Sequence, residues 1–388
     1  MDEPPAAQLE RVLFEIKKVI VGQDRAIERM LVSLLARGHC LLESVPGLAK
    51  TLSVETLAAA VGGTFHRIQF TPDLLPADIV GTRIYRGSSE RFDIELGPVF
   101  ANFVLADEIN RAPAKVQSAL LEVMAEHHVT IGGVTHDVPE PFLVLATQNP
   151  IESEGVYPLP EAQRDRFLMK ILLGYPSPQE EAEIVVRMGV SAPQVSAVLD
   201  PVGLSRLQAE ADRVYVERSV LEYAINLVLA TRNPEQFRMP ELRAFIEFGA
   251  SPRASLGLIR ASRALALLRG RAYVIPQDIF DVAPEILRHR MLLSYEALAQ
   301  EIDSEAILTR VLSTVPAPQV APSQAGGDAW YGGRTDSQAW AAAPTAPAWV
   351  APPTAPTPTP PTAPAPAPAP MQMPPPPTPV PRADDLPA

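Results

Sequence analysis

Three short apolar runs, each followed by polar residues and then by a segment of helical periodicity, most constrain the fold of this chain. They span Cys40–Leu42, Phe103–Ala106 and Phe142–Thr147. Repeated strand–loop–helix units of this kind build a parallel sheet, and functional residues then gather at the carboxyl ends of its strands. We therefore expect an α/β fold with a parallel sheet and a functional site at that edge.

Helical segments occupy most of the remaining sequence. Apolar residues recur at helical spacing through Leu9–Ile20 and again through Ile27–Leu34, before the first predicted strand. From about Ser177 to Leu312 the pattern is helical throughout. We therefore predict an αβα core over residues 1–176 and an all-α lid over residues 177–315.

Proline sets the end of the chain apart. Residues 316–388 hold 22 of the 43 prolines, in Thr-Ala-Pro runs with little apolar surface to offset the entropy of ordering. We expect this tail to be disordered. The three tryptophans of the chain, Trp330, Trp340 and Trp349, all lie in it, either as docking anchors for a partner or as chance drift in a low-complexity segment.

Composition excludes several classes of protein. The net charge of −12 argues against a broad nucleic-acid footprint. No apolar run reaches the ~18 residues of a membrane span, and the first residues do not resemble a signal peptide. The single cysteine, Cys40, fits a reducing cytoplasm, and its apolar neighbours indicate a buried strand thiol rather than a nucleophile.

The segment after the first predicted strand has features of a phosphate-binding loop. Such a loop needs inward backbone N–H groups, a helix N-terminus, a lysine for the phosphates and a hydroxyl for Mg²⁺. Lys50 and Thr51 supply the last two. Ser44 and Ala49 depart from the strict G-x-x-x-x-G-K-[ST] signature, so alone the segment fits an ordinary strand–helix turn equally well. The expected nucleotide-binding residues are Ser44, Val45, Pro46, Gly47, Leu48, Ala49, Lys50 and Thr51.

The second and third apolar runs both end in polar residues. Asp107 and Glu108 follow the second run. A strand that delivers Asp107 beside the phosphate loop can hold Mg²⁺ through water, and Glu108 can then orient the attacking water. An isolated acidic pair also begins many helices, but the lysine and threonine at suitable spacing favour the catalytic interpretation. The third run ends in Thr147–Pro150, whose polar groups can reach a γ-phosphate or its water. An Asn-Pro pair on its own is more often a simple turn, but its order after the phosphate loop and the acidic strand favours the functional interpretation.

The order of these motifs resembles that of the AAA+ ATPases and, more narrowly, of the MoxR family. The resemblance covers about residues 8–312 and implies a P-loop core, a helical lid, and binding of ATP and Mg²⁺. The family usually has glycine where this chain has Ser44, a departure that bears on turnover more than on nucleotide binding. The segments that carry the resemblance are Gln69–Pro76, Ala106–Pro113, Ala146–Pro150, Leu159–Gln163 and Asp165–Phe167.

The resemblance also implies roles for single residues. Asn149 resembles the sensor 1 residue and Arg253 the sensor 2 arginine. Arg166 resembles the arginine finger that reaches the γ-phosphate of a neighbouring subunit, and Arg164 is a second candidate for that role. A surface salt bridge is the alternative for each arginine. The segment that resembles the adenine-side motif of the family consists of Val21, Gly22 and Gln23.

Two insertions complete the resemblance. Residues about 70–100 resemble the helix-2 insert of this AAA+ clade. Val129–Thr135 alternate β-forming residues around two glycines, which predicts a hairpin over about 129–138. In ring-shaped relatives both elements face the central pore, whereas a packed surface loop is the alternative for each.

These observations predict Mg²⁺-dependent ATP hydrolysis by a ring, expected to be a homo-hexamer, that remodels a protein client. The resemblance implies a partner protein with a von Willebrand factor A domain and chaperone-like maturation. A nucleotide-gated assembly scaffold with little turnover is the alternative, and Ser44 favours it. A DNA-acting motor of the same clade is disfavoured by the acidic net charge.

Overall fold

The computed structural model of the chain describes residues 3–86, 91–150, 155–189 and 193–319, and a five-stranded sheet lies at the centre of the core. Its strands are β1 (Cys40–Glu43), β2 (Phe65–Gln69), β5 (Phe103–Asp107), β8 (Leu143–Gln148) and β9 (Met169–Leu172). Their order across the sheet is β2-β5-β8-β1-β9, and every neighbouring pair is parallel. The predicted parallel α/β sheet is therefore confirmed.

Both faces of the sheet are buried, which explains why its central strands form continuous apolar runs. Leu41 and Val104 belong to one hydrophobic cluster, whereas the next residues along each strand, Leu42 and Leu105, belong to another. The clusters lie on opposite faces because successive side chains of a strand alternate. The helices that cover the two faces are α1 (Pro5–Val19), α2 (Asp24–Leu35), α3 (Lys50–Val61), α4 (Pro76–Val80) and α5 (Ala114–Glu126). The short helix α6 (Glu161–Arg164) precedes β9.

Two antiparallel hairpins lie outside the central sheet. One consists of β3 (Gly81–Arg86) and β4 (Arg91–Leu96), and the other of β6 (His128–Ile131) and β7 (Val134–Asp137). Arg83 of the first packs so closely against Gly132 of the second that a Cβ at position 132 would lie 2.9 Å from the arginine Cδ. The two hairpins are therefore neighbours.

Seven α-helices follow position 177 in the described residues, and all but the first contribute buried residues to the hydrophobic cluster of α1, α2 and α3. They are α7 (Pro178–Met188), α8 (Pro201–Arg213), α9 (Arg218–Arg232), α10 (Pro252–Leu268), α11 (Pro276–Leu287), α12 (Tyr295–Ala299) and α13 (Ser304–Thr314). Two short strands, β10 (Ile246–Phe248) and β11 (Leu292–Leu293), pair within this helical lid. In the described part of the chain, no helix combines the length and the apolar character needed to cross a membrane.

The first compact unit of the chain covers residues 1–325 and includes all of the described residues. The predicted boundary between core and lid near position 176 lies inside the first unit and stays a prediction. The predicted disordered tail lies outside the described residues from position 320 onward.

Candidate functional site

The loop between β1 and α3 closes around the head of Lys50. Gly47 and Ala49 have positive φ angles of 84° and 53°, conformations that turn successive backbone N–H groups towards one side. Lys50 begins α3, so the unpaired N–H groups of the first helical turn meet the loop. Its Nζ donates to the carbonyl oxygen of Ser44 at 3.1 Å. The arrangement is typical of a phosphate-binding loop.

Ser44 fits this loop without strain. The residue is buried and does not have a positive φ, so its position does not require the freedom of glycine. Its hydroxyl donates to the carbonyl oxygen of Val45 at 2.9 Å. The departure from the family pattern therefore leaves the loop backbone in an ordinary conformation.

Thr147 forms hydrogen bonds with both acidic residues at the end of β5, Asp107 and Glu108. Its hydroxyl donates to Asp107 Oδ1 at 2.6 Å and accepts from the backbone N–H of Glu108 at 2.8 Å. Asp107 is largely buried at the end of β5, whereas the Glu108 side chain is 28% exposed. Glu108 has a φ of 57°, which ends the strand and begins a short 3₁₀ turn. The two acids at the end of β5 are therefore held by a hydroxyl from the neighbouring strand β8.

Two side chains of β2 contact the same acids. Arg67 Nη2 donates to Asp107 Oδ2 at 2.6 Å and to Gln69 Oε1 at 3.0 Å. Gln69 Nε2 in turn donates to Glu108 Oε2 at 2.8 Å. The sequence analysis missed both residues, although their spacing of two on a strand, which places them on one face, is a signal that could have found them.

Two further predicted groups lie at the same edge. Asn149 is buried directly after β8, and the residue before it accepts a 3.4 Å hydrogen bond from the N–H of Ser44. In the predicted adenine-side motif, Gly22 and Gln23 have positive φ angles, and Gln23 Nε2 donates to the carbonyl oxygen of Gly174 at 2.7 Å. Because Gly174 follows β9, the structure brings Val21–Gln23 to the carboxyl edge of the sheet with the phosphate loop and the acids.

The donor atoms at this edge suit Mg²⁺. Thr51 offers a hydroxyl from the first turn of α3 and Asp107 a carboxylate, and Mg²⁺ prefers such oxygen ligands together with the phosphates of a nucleotide. Among the described residues, no group of three or more His, Cys, Asp or Glu side chains is arranged to hold a metal ion. A cation at this edge therefore fits as the partner of a bound nucleotide.

A second charged site lies at the opposite edge of the sheet. This arginine cleft has a volume of about 390 Å³, and the buried His39 forms part of its wall. Its charged lining residues, within the described ranges, are Arg37, Asp165, Arg166, Arg253, Arg260 and Arg290. Five guanidinium groups and one carboxylate line the cleft. Arg37 pairs with Asp212 at 2.6 Å, and the remaining excess of positive charge suits a polyanion.

The predicted finger and sensor 2 arginines meet in this cleft. Arg166 is exposed and donates through Nη1 to the carbonyl oxygen of Leu121 at 2.5 Å. Arg253 is 60% exposed and its Nη1 lies 3.6 Å from Asp165 Oδ2. Arg164, the second finger candidate, instead pairs with Glu161 at 3.1 Å. The structure thus brings Arg166 and Arg253 together.

The length of β1 separates the two sites. His39 directly precedes this strand and lines the arginine cleft, whereas Ser44 directly follows it and begins the phosphate loop. Four strand residues span about 13 Å. Arg166 and Arg253 therefore lie at the amino edge of the sheet, away from Lys50 of the same chain at the carboxyl edge.

Comparison with known proteins agrees with this geometry. Residues 39–169 match the ATPase family associated with various cellular activities (AAA), and residues 242–311 match the AAA lid domain. Chaperone MoxR1 of Mycobacterium tuberculosis is 64% identical over 312 residues, which cover 80% of this chain and 83% of that protein. Protein MoxR of Methylorubrum extorquens is 33% identical over 332 residues, which cover 81% of this chain and 95% of that protein.

A solved structure extends the comparison to the fold. The crystal structure of a candidate ATPase from Cytophaga hutchinsonii superimposes with a TM-score of 0.77 and 47% identity, covering 81% of this chain and 96% of that one. The motifs, the two matched domains and the relatives agree. The chain is a member of the MoxR family of AAA+ ATPases.

Proposed function

We propose that this protein hydrolyses ATP with Mg²⁺ at sites that form between neighbouring copies. The observation that carries the proposal is the separation of two charged sites across one sheet. The phosphate loop and acids lie at the carboxyl edge, and the arginine cleft lies at the amino edge. A nucleotide held at one edge can meet both arginines only when a second copy supplies them.

The residues of the carboxyl edge that were expected from the sequence to act on phosphate, metal or water then have distinct roles. Lys50 and the loop N–H groups hold the phosphates, and Thr51 and Asp107 hold Mg²⁺, which when bound neutralises charge on the phosphates. Glu108 orients the attacking water and accepts its proton. Asn149 contacts the γ-phosphate or the water.

The arginine cleft supplies the remaining charge. Arg166, as the finger, stabilises the charge that develops on the transferred phosphoryl group of the neighbouring copy, and Arg253 assists it as sensor 2. Contacts of one edge with the other are head-to-tail, and such contacts form a ring when the rotation between successive copies closes. We infer a homo-hexamer.

The energy of hydrolysis is proposed to remodel a protein client. The name of the mycobacterial relative, a chaperone, supports this function. A protein with a von Willebrand factor A domain is the proposed partner, and the cytoplasm is the proposed location. The exposed Tyr85 and Phe92 of the β3–β4 hairpin offer apolar surface for client contact.

The alternative function, a nucleotide-gated assembly scaffold with little turnover, was favoured by Ser44. That residue would favour negligible turnover if it distorted the phosphate loop, but its φ is ordinary and its hydroxyl bonds within the loop. Hydrolysis therefore remains the favoured function.

Replacing the proposed base tests hydrolysis. Glu108→Gln should bind ATP with unchanged affinity and lose turnover by about 100-fold or more, because general-base catalysis contributes about that much. Steady-state hydrolysis and equilibrium binding of a fluorescent ATP analogue measure the two quantities. Glu222→Gln, the same change at an exposed lid residue paired with Arg218, is the control and should keep full activity. Normal hydrolysis by Glu108→Gln would show that the base is assigned wrongly.

Mixing two inactive variants tests the shared site. Arg166→Ala keeps an intact phosphate loop, and Glu108→Gln keeps an intact finger. An assembled mixture therefore contains some complete sites and should recover part of the activity. If Arg166 acts within its own chain, the mixture stays inactive.

A further inference from the structure

The turn that presents Arg166 is held from the lid by one buried arginine. Arg290 lies just after α11, and its side chain is 3% exposed. Its Nε donates to Asp165 Oδ1 at 2.7 Å, and its Nη2 donates to the carbonyl oxygen of Phe167 at 2.5 Å. Its Nη1 donates to the carbonyl oxygen of Leu168 at 3.0 Å. Arg290 therefore binds the chain on both sides of Arg166.

Other lid residues hold the same turn. His289 Nε2 donates to the carbonyl oxygen of Phe167 at 3.1 Å. The Ser251 hydroxyl donates to Asp165 Oδ2 at 3.0 Å, so both oxygens of that carboxylate are engaged by lid residues. The Arg166 side chain, in contrast, lies in the arginine cleft and donates to α5 of the core. The backbone that carries the finger is thus anchored to the lid.

Only a guanidinium fits this position. The acceptors around Arg290 are one carboxylate oxygen, three carbonyl oxygens of the turn and the carbonyl oxygen of Ile286 on α11. A planar fork with five N–H groups can reach all of them, whereas the three donors of a lysine share one atom. Burial lowers the pKa of the Arg290 guanidinium, and the facing Asp165 opposes that shift. A lysine would therefore fill the space without holding the turn.

We propose that Arg290 is a positioning residue for Arg166. It fixes the turn Asp165–Leu168 and so makes the position of the finger follow the position of the lid. The inference rests on the proposed function, in which Arg166 acts on the nucleotide of the neighbouring copy. A displacement of about 1 Å in a catalytic group can cost on the order of 100-fold in rate.

The test compares two buried arginines that are two positions apart, Arg288 and Arg290, in the full-length protein. Arg290→Lys should lower kcat on the order of 100-fold while leaving KM and the affinity for ATP unchanged. Arg288→Lys is the matched control. Arg288 is also buried and binds Glu305 and the carbonyl oxygen of Lys170 on β9, but those partners lie outside the turn. It should keep kcat close to that of the parent protein.

Two further measurements separate positioning from a loss of structure. Arg166→Ala combined with Arg290→Lys should be no slower than Arg166→Ala alone, because both changes remove one function. Arg290→Lys mixed with Glu108→Gln should recover activity, since one copy supplies the phosphate loop and the other a correctly held finger. Mixed with Arg166→Ala it should not recover.

Each contrary result overturns the inference. An unchanged kcat in Arg290→Lys, an equal loss in Arg288→Lys, or a failure to recover with Glu108→Gln would each do so. If Arg290→Lys does not fold, Asp165→Asn, which removes the charge that Arg290 faces, takes its place in the same assays. If Arg166→Ala loses activity while Arg290→Lys keeps it, only this inference is overturned. If both variants keep their activity, the proposed role of Arg166 is overturned as well.

Discussion

His39 is buried at the start of β1 with both ring nitrogens engaged. Its Nδ1 accepts from the backbone N–H of Val144 at 3.0 Å, which leaves Nε2 to donate to the carbonyl oxygen of Met124 at 3.1 Å. Burial lowers the pKa of His39 to about 4, and the nearby His127 adds to this effect. The ring is therefore neutral, and its protonation would break the bond from Val144.

This histidine should make stability depend on pH. In the unfolded chain the pKa of His39 is about 6.5, so below that pH the unfolded state binds a proton. The folded state binds this proton only when the pH falls to about 4. The contribution is full above pH 6.5 and is lost as the pH falls towards 4, by on the order of 3 kcal/mol. The free energy of unfolding, measured with urea at several pH values, should change with pH with a smaller slope in His39→Gln than in the parent protein. The exposed His66→Gln is the control, and an equal slope in all three proteins would contradict the assignment.

The sequence predicted single residues where identity and spacing alone carry the chemistry. Lys50, Thr51 and Asp107 are of this kind, because a lysine and a hydroxyl beside a strand end are visible along the chain. Arg67 is different, since it meets Asp107 only because β2 lies next to β5 in the sheet. Arg290 is 125 residues from Asp165, and no local pattern links them.

The β3–β4 hairpin is joined to the core through two facing glycines. A Cβ on Gly97 would lie 2.1 Å from the carbonyl oxygen of Ile79 and 2.6 Å from the backbone nitrogen of Gly81. Both contacts are with backbone atoms, which cannot move aside as a flexible side chain can. The hairpin base is thus packed too closely for any side chain at position 97.

Gly97→Ala should loosen this hairpin. The added methyl group forces a backbone shift, and overpacking of this kind typically costs about 1–3 kcal/mol. Hydrogen exchange should become faster in β3 and β4, with a lower thermal midpoint for the whole protein. Gly174→Ala is the control, because a Cβ there meets no atom within 4 Å, and it should change neither quantity. Equal exchange in both variants would mean that the base is not held by this contact.

Elements were predictable where they are long or fully buried. The central strands are buried on both faces and therefore form apolar runs that the sequence displays. The strands β10 and β11 have three and two residues, too few for any periodicity, and the lid was accordingly expected to be helical throughout. Sheet order also had no signal, because it depends on which apolar faces meet.

At the scale of the whole molecule, the compact unit of residues 1–325 should be sufficient for catalysis. A chain ending at Ala325 should keep the ATPase rate and thermal midpoint of the full chain. It also removes all three tryptophans, so the loss of tryptophan emission verifies the truncation. A lower rate or midpoint would assign the tail a role in the enzyme itself.

A shorter chain provides the contrast. Ending at Arg310 removes Val311 and Val315, which are both buried in the lid cluster. Burial of a valine contributes about 1.5–3 kcal/mol, so this chain should unfold at a clearly lower temperature. The two truncations together locate the end of the folded unit.

The phosphate loop and the arginine cleft lie at opposite edges of one sheet. Under the proposed function, this placement determines how many complete sites an assembly of a given number of copies contains. An isolated copy has no complete site, and an open row of copies always has one fewer complete site than it has members. Only closure of the row makes the two numbers equal, because the first member then supplies what the last one lacks. Dilution should therefore lower the activity per chain, and each copy with a defective cleft should silence one neighbour rather than itself.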